Sequence, residues 1–206
     1  MKFLIFGATG RTGTEVVKQA LQEGHEVTVY IRNPLELPQS DRLHRVQGEL
    51  NELSKIEQAL QGQDVVISAL GHRSLRRSKM LTEFMIQLLP ILERLSVKKF
   101  LYVSAYGAGD SRADYGWLKK MILLKGILKN PSADHDSAEK IIFKSSLDWV
   151  VARPGQLTDG VCLGRYQAKE KFGHSALKIS RADVAHFLLQ EIRIPHFTKK
   201  AVGLGY

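Results

Sequence analysis

The stretch that decides the fold is Lys2-Phe3-Leu4-Ile5-Phe6-Gly7-Ala8-Thr9-Gly10-Arg11-Thr12-Gly13. Its apolar residues 3–6 are typical of a buried strand, and an amphipathic helical pattern begins at Thr12 or Gly13. A strand, a glycine turn and a helix N-terminus form a phosphate site, because free backbone N–H groups point at the anion. The sequence therefore predicts a dinucleotide phosphate site at residues 7–13, with GxxGxxG spacing.

The three glycines of this motif have different predicted roles. Gly7 permits the tight turn, Gly10 lets the backbone approach a pyrophosphate, and Gly13 lets the helix pack close to the strand. We expect Thr12 and Glu15 to form a capping box at the start of the helix. The alternative interpretation is a tight turn without a ligand, which the position between strand and helix disfavours.

Length and composition limit the class of protein. The 206 residues suit one α/β domain and are too few for a second substantial one, and 44% hydrophobic with 25% charged residues is typical of a soluble globular protein. No apolar stretch approaches the ~18 residues that cross a membrane, and the N-terminus does not read as a secretion signal. The single Cys162 excludes an intramolecular disulfide. We predict a cytoplasmic protein in which Cys162 is a small buried or half-buried residue.

The net charge of +9 admits a nucleic-acid or anionic-surface partner. No nucleic-acid motif accompanies it, and the local basic cluster is interpreted as a solvated helix start; its members are Arg73, Arg76, Arg77 and Lys79. We therefore predict a small-molecule substrate, no nucleic-acid or membrane partner, no metal site, and a monomer or weak homodimer.

Apolar runs alternate with helical patterns along the chain, which predicts a doubly wound Rossmann fold. We expect a mostly parallel sheet of six or more strands, helices on both faces, and one domain over residues 1–206 with a variable lid at about 105–133. Strands are predicted at 2–6, 26–30, 43–46, 64–68, 99–104 and 148–151. Helices are predicted from 12 or 13, around 56–60, at 78–96 with a kink or break at Pro90, at 134–145 and at 180–191.

The end of the second predicted strand selects the cofactor. Folds that bind NAD place an acidic residue there, whereas this chain has Arg32, whose guanidinium can bind a 2′-phosphate. Arg11 can reach the same phosphate, so we predict NADP(H). The alternative for Arg32 is an exposed charge before the Asn33-Pro34 turn. We also assign Glu49 to the adenine, together with the neighbouring Leu50.

The assembled motifs resemble the atypical short-chain dehydrogenase/reductase family over nearly the whole chain. They are GATGRTG at 7–13, VYIRN at 29–33, ALG at 69–71, YVSA at 102–105, DHDSAEK at 134–140 and ARPG at 152–155. The short length and ISRADVA at 179–185 look most like the subgroup of biliverdin-IXβ and flavin reductases. That resemblance implies NADPH-dependent reduction of flavins (FMN, FAD or riboflavin), biliverdins and sometimes quinones or dyes. NmrA-like redox sensors share the same skeleton.

The resemblance also implies roles for residues at matching positions. It assigns the pyrophosphate to Gly7, Thr9, Gly10, Arg11, Thr12 and Gly13, and the 2′-phosphate to Arg32. It assigns the cofactor ribose to Ala69, Leu70 and Gly71, the nicotinamide to Ser104 and Ala105, and the carboxamide to Pro154, Gly155 and Gln156.

The chain departs from the family at the catalytic Tyr-x-x-x-Lys pair. Those two positions hold Pro131 and His135. Tyr115 and Lys119 have the right spacing, but we assign them to the lid rather than to a relocated pair. At a second departure, Gly155 stands where mammalian flavin reductases carry His, which leaves the acceptor open.

Three residues are candidates for catalysis. Ser104 could hydrogen-bond the acceptor, or instead close its strand by bonding backbone; His135 could donate a proton, or be a surface or capping histidine, and His72 is a similar candidate. Tyr106 belongs to an aromatic or apolar cover that also contains Tyr115, Trp117, Met121 and Ile122, for which ordinary helix packing is the alternative.

Because extended π-systems accept hydride with little acid–base help, the missing pair favours an NADPH-dependent oxidoreductase acting on a conjugated acceptor of flavin, biliverdin or quinone type. The alternative is a non-catalytic NADP(H)-binding redox sensor or regulator of the NmrA type. A sugar-nucleotide epimerase or dehydratase is disfavoured, since it needs the pair and a larger substrate domain.

Overall fold

The computed structural model of the protein describes residues 1–33, 37–72, 78–114, 129–172 and 178–206. Its strands are β1 (Lys2–Phe6), β2 (Glu26–Ile31), β3 (Leu43–Gln47), β4 (Val65–Ser68), β5 (Lys99–Val103), β6 (Trp149–Pro154), β7 (Gln156–Thr158), β8 (Gln167–Lys169), β9 (Lys178–Ser180) and β10 (Lys200–Gly205). Its α-helices are α1 (Arg11–Gln22), α2 (Leu53–Leu60), α3 (Met80–Arg94), α4 (Lys129–Ile142) and α5 (Arg181–Arg193), and a 3₁₀ helix spans Gly109–Asp114.

Eight of these strands form one sheet in the order β3-β2-β1-β4-β5-β6-β10-β8. Neighbouring strands are parallel except β10 and β8, which are antiparallel, and β7 pairs with β9 separately. The strand order reverses between β1 and β4, so a crevice opens at their carboxyl ends. The predicted doubly wound, mostly parallel fold is confirmed.

Alternation along β1 explains why helices cover both faces of the sheet. Phe3 and Ile5 point into a core built with α1 and α5, whereas Leu4 and Phe6 point into a second core built with α2, α3 and α4. All four side chains are fully buried. A parallel strand that is buried on both faces reads as a continuous apolar run, which is why this strand could be located from sequence.

The predicted capping box at α1 is wrong. The helix begins at Arg11, its N-cap is Gly10, and no side chain in the described ranges caps it. Thr14 instead donates its hydroxyl to the carbonyl oxygens of Ala8 and Gly10, at 3.1 and 3.0 Å. The first-turn N–H groups of a helix have no intrahelical partner, so an uncapped end is open to an anion.

Two other helices differ from expectation. Of the kink or break predicted at Pro90, the break does not occur, since α3 runs continuously from Met80 to Arg94. Pro90 and Ile86 both lie on the exposed face, so the carbonyl that loses its helical bond can meet water. Helix α4 begins at Lys129, five residues before the predicted 134, which places Asp134 and Asp136 inside the helix rather than in its first turn.

The remaining differences concern the chain after residue 151. Strand β6 continues to Pro154, and β7 to β10 were not predicted, because three of them have three residues and β10 contains two glycines. Cys162 is exposed, contrary to the expectation of a buried residue. It lies in a loop whose backbone turns around the carboxylate of Asp183, which accepts hydrogen bonds from the N–H groups of Leu163 and Gly164.

Candidate functional site

The glycine loop packs tightly between β1, α1 and the end of β4. Gly7 has a φ of +78°, and a Cβ there would lie 2.5 Å from the Ala69 carbonyl oxygen. A Cβ at Gly13 would fall on the Gly7 carbonyl group, whereas one at Gly10 would meet only that oxygen, at 3.2 Å. The packing explains Gly7 and Gly13 without a ligand. Packing does not require a glycine at position 10. Gly10 is exposed at the open end of the helix, where the close approach of a ligand would explain a residue without a side chain.

The same packing brings the loop after β4 to the glycine loop. Ala69 donates its N–H to the Phe6 carbonyl oxygen at 2.9 Å, which continues the β1–β4 ladder by one residue. Ala69 and Leu70 are half-buried, and Gly71 is exposed. The structure therefore brings together two of the predicted cofactor segments, residues 7–13 and 69–71, at the carboxyl edge of the sheet.

The end of β2 carries Arg32, which is exposed. The next connection is tied to it, because Gly48 donates its N–H to the Ile31 carbonyl at 3.0 Å and Tyr30 donates its hydroxyl to the Glu49 carbonyl at 3.1 Å. Glu49 is exposed and Leu50 half-buried. Arg32 and the pair Glu49-Leu50 are thus neighbours at the same edge of the sheet.

Arg11 is exposed and has a carboxylate partner. Its guanidinium lies 3.0 Å from Asp159, and the second oxygen of Asp159 contacts Arg181 at 2.5 Å. Thr9 and Thr12 lie in the same turn, half-buried and buried respectively. The site therefore carries Arg11 in the glycine loop, Arg181 on the same carboxylate, and Arg32 at the end of β2.

Ser104 and Tyr106 follow β5 at the same edge. The Ser104 N–H, not its hydroxyl, closes the strand by donating to the Ala152 carbonyl at 2.8 Å. The hydroxyl is buried and has no hydrogen-bond partner among the residues that the structure describes. A buried unpaired hydroxyl costs free energy unless a water or ligand meets it, so this atom fits a bound polar group.

The neighbouring residues form a wall beside Ser104. Tyr106 donates its N–H to the Pro154 carbonyl at 2.8 Å, and its ring packs edge-on against Phe172 with centroids 6.1 Å apart. Gly155 donates its N–H to Leu204 at 3.1 Å. Ala105 and Gly155 are half-buried, Pro154 is buried and Gln156 is exposed. The segments 104–106 and 154–156 therefore lie side by side.

His135 is not the surface or capping histidine that was the alternative to a catalytic role. It lies in α4 with 8% of its surface exposed, and its Nδ1 is 2.8 Å from the Tyr102 hydroxyl. Burial, and then the nearby His72, lower the pKa of His135 to about 4, so its ring is neutral at pH 7. Burial raises the pKa of Tyr102 well above its usual value, and a buried O–H needs an acceptor. Tyr102 therefore donates to Nδ1, which leaves the His135 proton on Nε2.

Sequence reasoning missed the carboxylates of α4, although the motif that contains them was recognised. Asp134 accepts hydrogen bonds from the start of α3, Asp136 accepts one from Gly109 N–H at 2.5 Å, and Glu139 pairs with Arg153. The available signal was Arg153, a cation at the end of an apolar strand. A charge in that position needs a buried partner.

Other predicted positions lie outside the described residues. They are Tyr115, Trp117, Lys119, Met121 and Ile122 of the lid, and Arg73, Arg76 and Arg77 of the basic cluster. Within the described ranges, no group of His, Cys, Asp and Glu is placed to hold a metal ion. No helix in that part of the chain is long and apolar enough to cross a membrane.

Three solved structures illustrate what the fold is similar to. A short-chain dehydrogenase/reductase from Veillonella parvula in complex with NADP is 17% identical, with a TM-score of 0.83 over 100% of this chain and 94% of that one. The anaerobilin reductase ChuY from Escherichia coli O157:H7 is 21% identical, with a TM-score of 0.81 over 99% and 96%. A putative NADH-flavin reductase from Streptococcus pneumoniae is 22% identical, with a TM-score of 0.79 over 100% and 99%.

These identities establish a shared fold. The sequence family is given by a family model described as NAD(P)H-binding, which matches residues 7–195. That range contains the glycine loop, Arg32, the loop after β4 and the segments around Ser104 and Gly155. The chain belongs to the NAD(P)H-binding family.

Proposed function

We propose that this protein is an NADPH-dependent reductase that transfers hydride to a conjugated small molecule of flavin, biliverdin or quinone type. The observation that carries the proposal is the carboxyl edge of the sheet. There the glycine loop, Arg32 and the Ser104 hydroxyl lie along one continuous series of strand ends, and the described residues provide neither a side-chain cap for α1 nor a partner for that hydroxyl. Such an edge is where doubly wound folds bind dinucleotides.

The choice of NADPH rests on Arg32. The position after β2 that holds an acidic residue in NAD-binding folds carries an exposed guanidinium here. A carboxylate would repel a 2′-phosphate, whereas a guanidinium forms two charge-assisted hydrogen bonds to it. Arg11 adds a second cation at the glycine loop, where its present partner is the exposed Asp159.

The bound dinucleotide supplies the hydride, and the protein supplies binding and orientation. Residues 7–13 would hold the pyrophosphate, residues 69–71 the ribose, and residues 154–156 the carboxamide. Ser104 offers a buried hydroxyl to a polar atom of the ligand, and Tyr106 with Phe172 offers an aromatic wall. We expect the chain to contribute mainly in two ways. It excludes water from the site beside this wall, and it holds the dinucleotide and the acceptor at short distance.

His135 contributes as a neutral group in this proposal. A histidine whose pKa is about 4 is neutral at pH 7, so it does not serve as a general acid. It can hold a hydrogen bond through Nε2, and the proton that the reduced acceptor takes up comes from water. Flavins, bilins and quinones can accept hydride without an acidic group of the protein, whereas the oxidation of an alcohol requires a positioned base.

The similar structures support a reductase more than another use of the fold. Two of the three are named as reductases of a bilin or a flavin, and the third is described with NADP. We further propose a small-molecule substrate, a cytoplasmic location and a monomeric or weakly dimeric state. The rival function is a sensor that binds NADP(H) without turning it over.

The test is oxidation of NADPH, followed by absorbance, with FMN, biliverdin and a quinone offered separately. NADH serves as the control cofactor, and a Ser104→Ala variant tests the contribution of the buried hydroxyl. Turnover with NADPH on at least one acceptor, reduced in Ser104→Ala, is the expected result. Tight NADPH binding without turnover on any acceptor would establish the sensor instead.

A further inference from the structure

Behind the loop 69–71 lies a buried ionisable pair that the proposed reaction does not use. His72 Nε2 is 3.0 Å from Asp134 Oδ2, and the two side chains are 7% and 0% exposed. Nε2 of His72 makes no hydrogen bond to any residue that the structure describes, so the two side chains are in contact without a directional bond. A carboxylate this deeply buried needs compensating partners, and the identity of those partners indicates its role.

The other partners of Asp134 are at the start of α3. Oδ2 accepts a hydrogen bond from Leu81 N–H at 2.9 Å, and Oδ1 accepts from Thr82 N–H at 3.0 Å and from the Thr82 hydroxyl at 2.5 Å. Lys79, the residue before α3, provides no side-chain cap. Asp134 therefore caps α3 from another helix, where the helix dipole also favours an ionised carboxylate.

The histidine end of the pair is attached to the candidate cofactor loop. His72 directly follows Gly71, and an added Cβ at Gly71 would meet nothing within 4 Å among the residues that the structure describes. Within that part of the chain, the contacts that hold the loop come from the residues that flank it. Before the loop, Ala69 N–H is bonded to the Phe6 carbonyl oxygen at the end of β4. After the loop, His72 contacts Asp134.

His72, Asp134, His135 and Tyr102 form one buried cluster, which also reaches the segment around Ser104. The His135 ring is perpendicular to the His72 ring, with centroids 6.1 Å apart, and its Nδ1 bonds Tyr102, two residues before Ser104. The charged groups that face the histidines are Asp134 and, near Tyr102, Glu139. The cluster therefore connects both segments to α4 and α3.

We infer that Asp134 is a positioning residue for dinucleotide binding, which acts through His72 to fix the conformation of residues 69–71. The inference rests on the proposed function, because it takes residues 69–71 as part of the cofactor site. Neither side chain needs to touch the dinucleotide. A displacement of about 1 Å in a loop that contacts a ligand is enough to weaken binding substantially.

The test is the dissociation constant for NADPH, measured by nucleotide fluorescence on the full chain without acceptor. The variants are Asp134→Asn, His72→Gln and both together. Asp134→Asn keeps the oxygen that accepts from Thr82 but turns the oxygen shared by Leu81 N–H and His72 into an NH2 group, so it weakens the cap as well as the His72 contact; His72→Gln changes the contact alone. We expect each single variant to weaken NADPH binding by about tenfold, and the double variant to be no weaker, since both act through one contact.

The matched control is Glu93→Gln at the far end of α3. Glu93 Oε1 accepts hydrogen bonds from the N–H and hydroxyl of Ser146, at 2.7 and 2.8 Å, so this variant also removes a carboxylate charge between α3 and the segment after α4. It lies at the opposite edge of the sheet, and we expect unchanged NADPH affinity. Thermal unfolding of every variant reports general loss of structure.

Unchanged NADPH affinity in folded Asp134→Asn and His72→Gln would overturn the inference, and so would additive losses in the double variant. If Asp134→Asn does not fold, His72→Gln decides alone, because His72 lies outside the helices and caps nothing. A wild-type protein that binds no NADPH would contradict the proposed function itself. Wild-type binding with unaffected variants would contradict only the positioning role.

Discussion

Arg153 of β6 and Glu139 of α4 form a two-pronged ion pair in the interior, with Nε 3.1 Å from Oε1 and Nη2 2.7 Å from Oε2. Both side chains are 1% exposed. The third nitrogen of Arg153 contacts Asp110 in the 3₁₀ helix at 2.5 Å. One guanidinium therefore joins the sheet, α4 and the 3₁₀ helix, which lies within the range of the predicted lid.

Removing the negative charge from this pair should destabilise the protein strongly. Glu139→Gln leaves the Arg153 cation buried with only the largely exposed Asp110 as counter-ion, and we expect the free energy of unfolding to fall by about 3 kcal/mol. Urea unfolding followed by circular dichroism measures this. The control is Glu26→Gln, which breaks the exposed Lys2–Glu26 pair of 3.4 Å and should cost below about 1 kcal/mol. Equal losses in both variants would contradict the account of the buried pair.

The buried His135 predicts how stability depends on pH. Its pKa is about 4 in the folded protein and 6.5 in a free chain, so between these values the unfolded state binds a proton that the folded state excludes. The contribution of neutral His135 to the free energy of unfolding is therefore fully present above pH 6.5 and is lost as the pH falls toward 4. Between pH 7 and pH 5 we expect the wild type to lose about 2 kcal/mol more than His135→Gln.

Urea unfolding at the two pH values checks that difference, since the variant retains every other titrating group. Parallel losses in the two proteins would mean that His135 titrates normally and is not buried beside Tyr102 as the structure has it.

The glycine loop allows binding and folding to be separated. A Cβ at Gly10 meets one oxygen at 3.2 Å, whereas a Cβ at Gly13 collides with the Gly7 backbone. Gly10→Ala should therefore fold with a stability loss within about 1 kcal/mol but bind NADPH about tenfold more weakly, because its methyl group occupies the approach to the pyrophosphate. Gly13→Ala should lose stability outright.

The control for the loop is Gly62→Ala. Gly62 has a φ of +72° with open space around it, so this substitution costs about 1 kcal/mol of stability far from the site and leaves binding unchanged. NADPH binding by Gly10→Ala that equals the wild type would remove the reason for assigning the phosphate to this loop.

The sequence was most informative where one local rule decides the structure. Residues 2–13 combine an apolar run with glycine spacing, and both the strand and the turn are where they were predicted. Arg32 could be located because strand β2 ends one residue before it. Such features depend on nearest neighbours along the chain, so no knowledge of distant contacts is needed.

Features that depend on distant contacts were missed. Asp134 and Asp136 stand at the start of the helix predicted at 134–145, and nothing there reveals that they bind α3 and Gly109 across the fold. His135 looked like a surface residue because nothing in its neighbourhood reveals Tyr102, 33 residues earlier. Short strands such as β8 form only because β10 offers an edge, so their own residues carry no periodic signal.

The assignment of NADPH to Arg32 is decided by the ratio of kcat/KM for NADPH to that for NADH, in the wild type and in Arg32→Ser, with one acceptor held constant. We expect a wild-type ratio well above one that falls by about tenfold or more in Arg32→Ser, mainly through a higher KM for NADPH. The control Arg45→Ser removes an exposed cation from neighbouring β3 and should leave the ratio unchanged. A wild-type ratio at or below one, or a ratio unaffected by Arg32→Ser, would contradict the assignment of NADPH to this edge of the sheet.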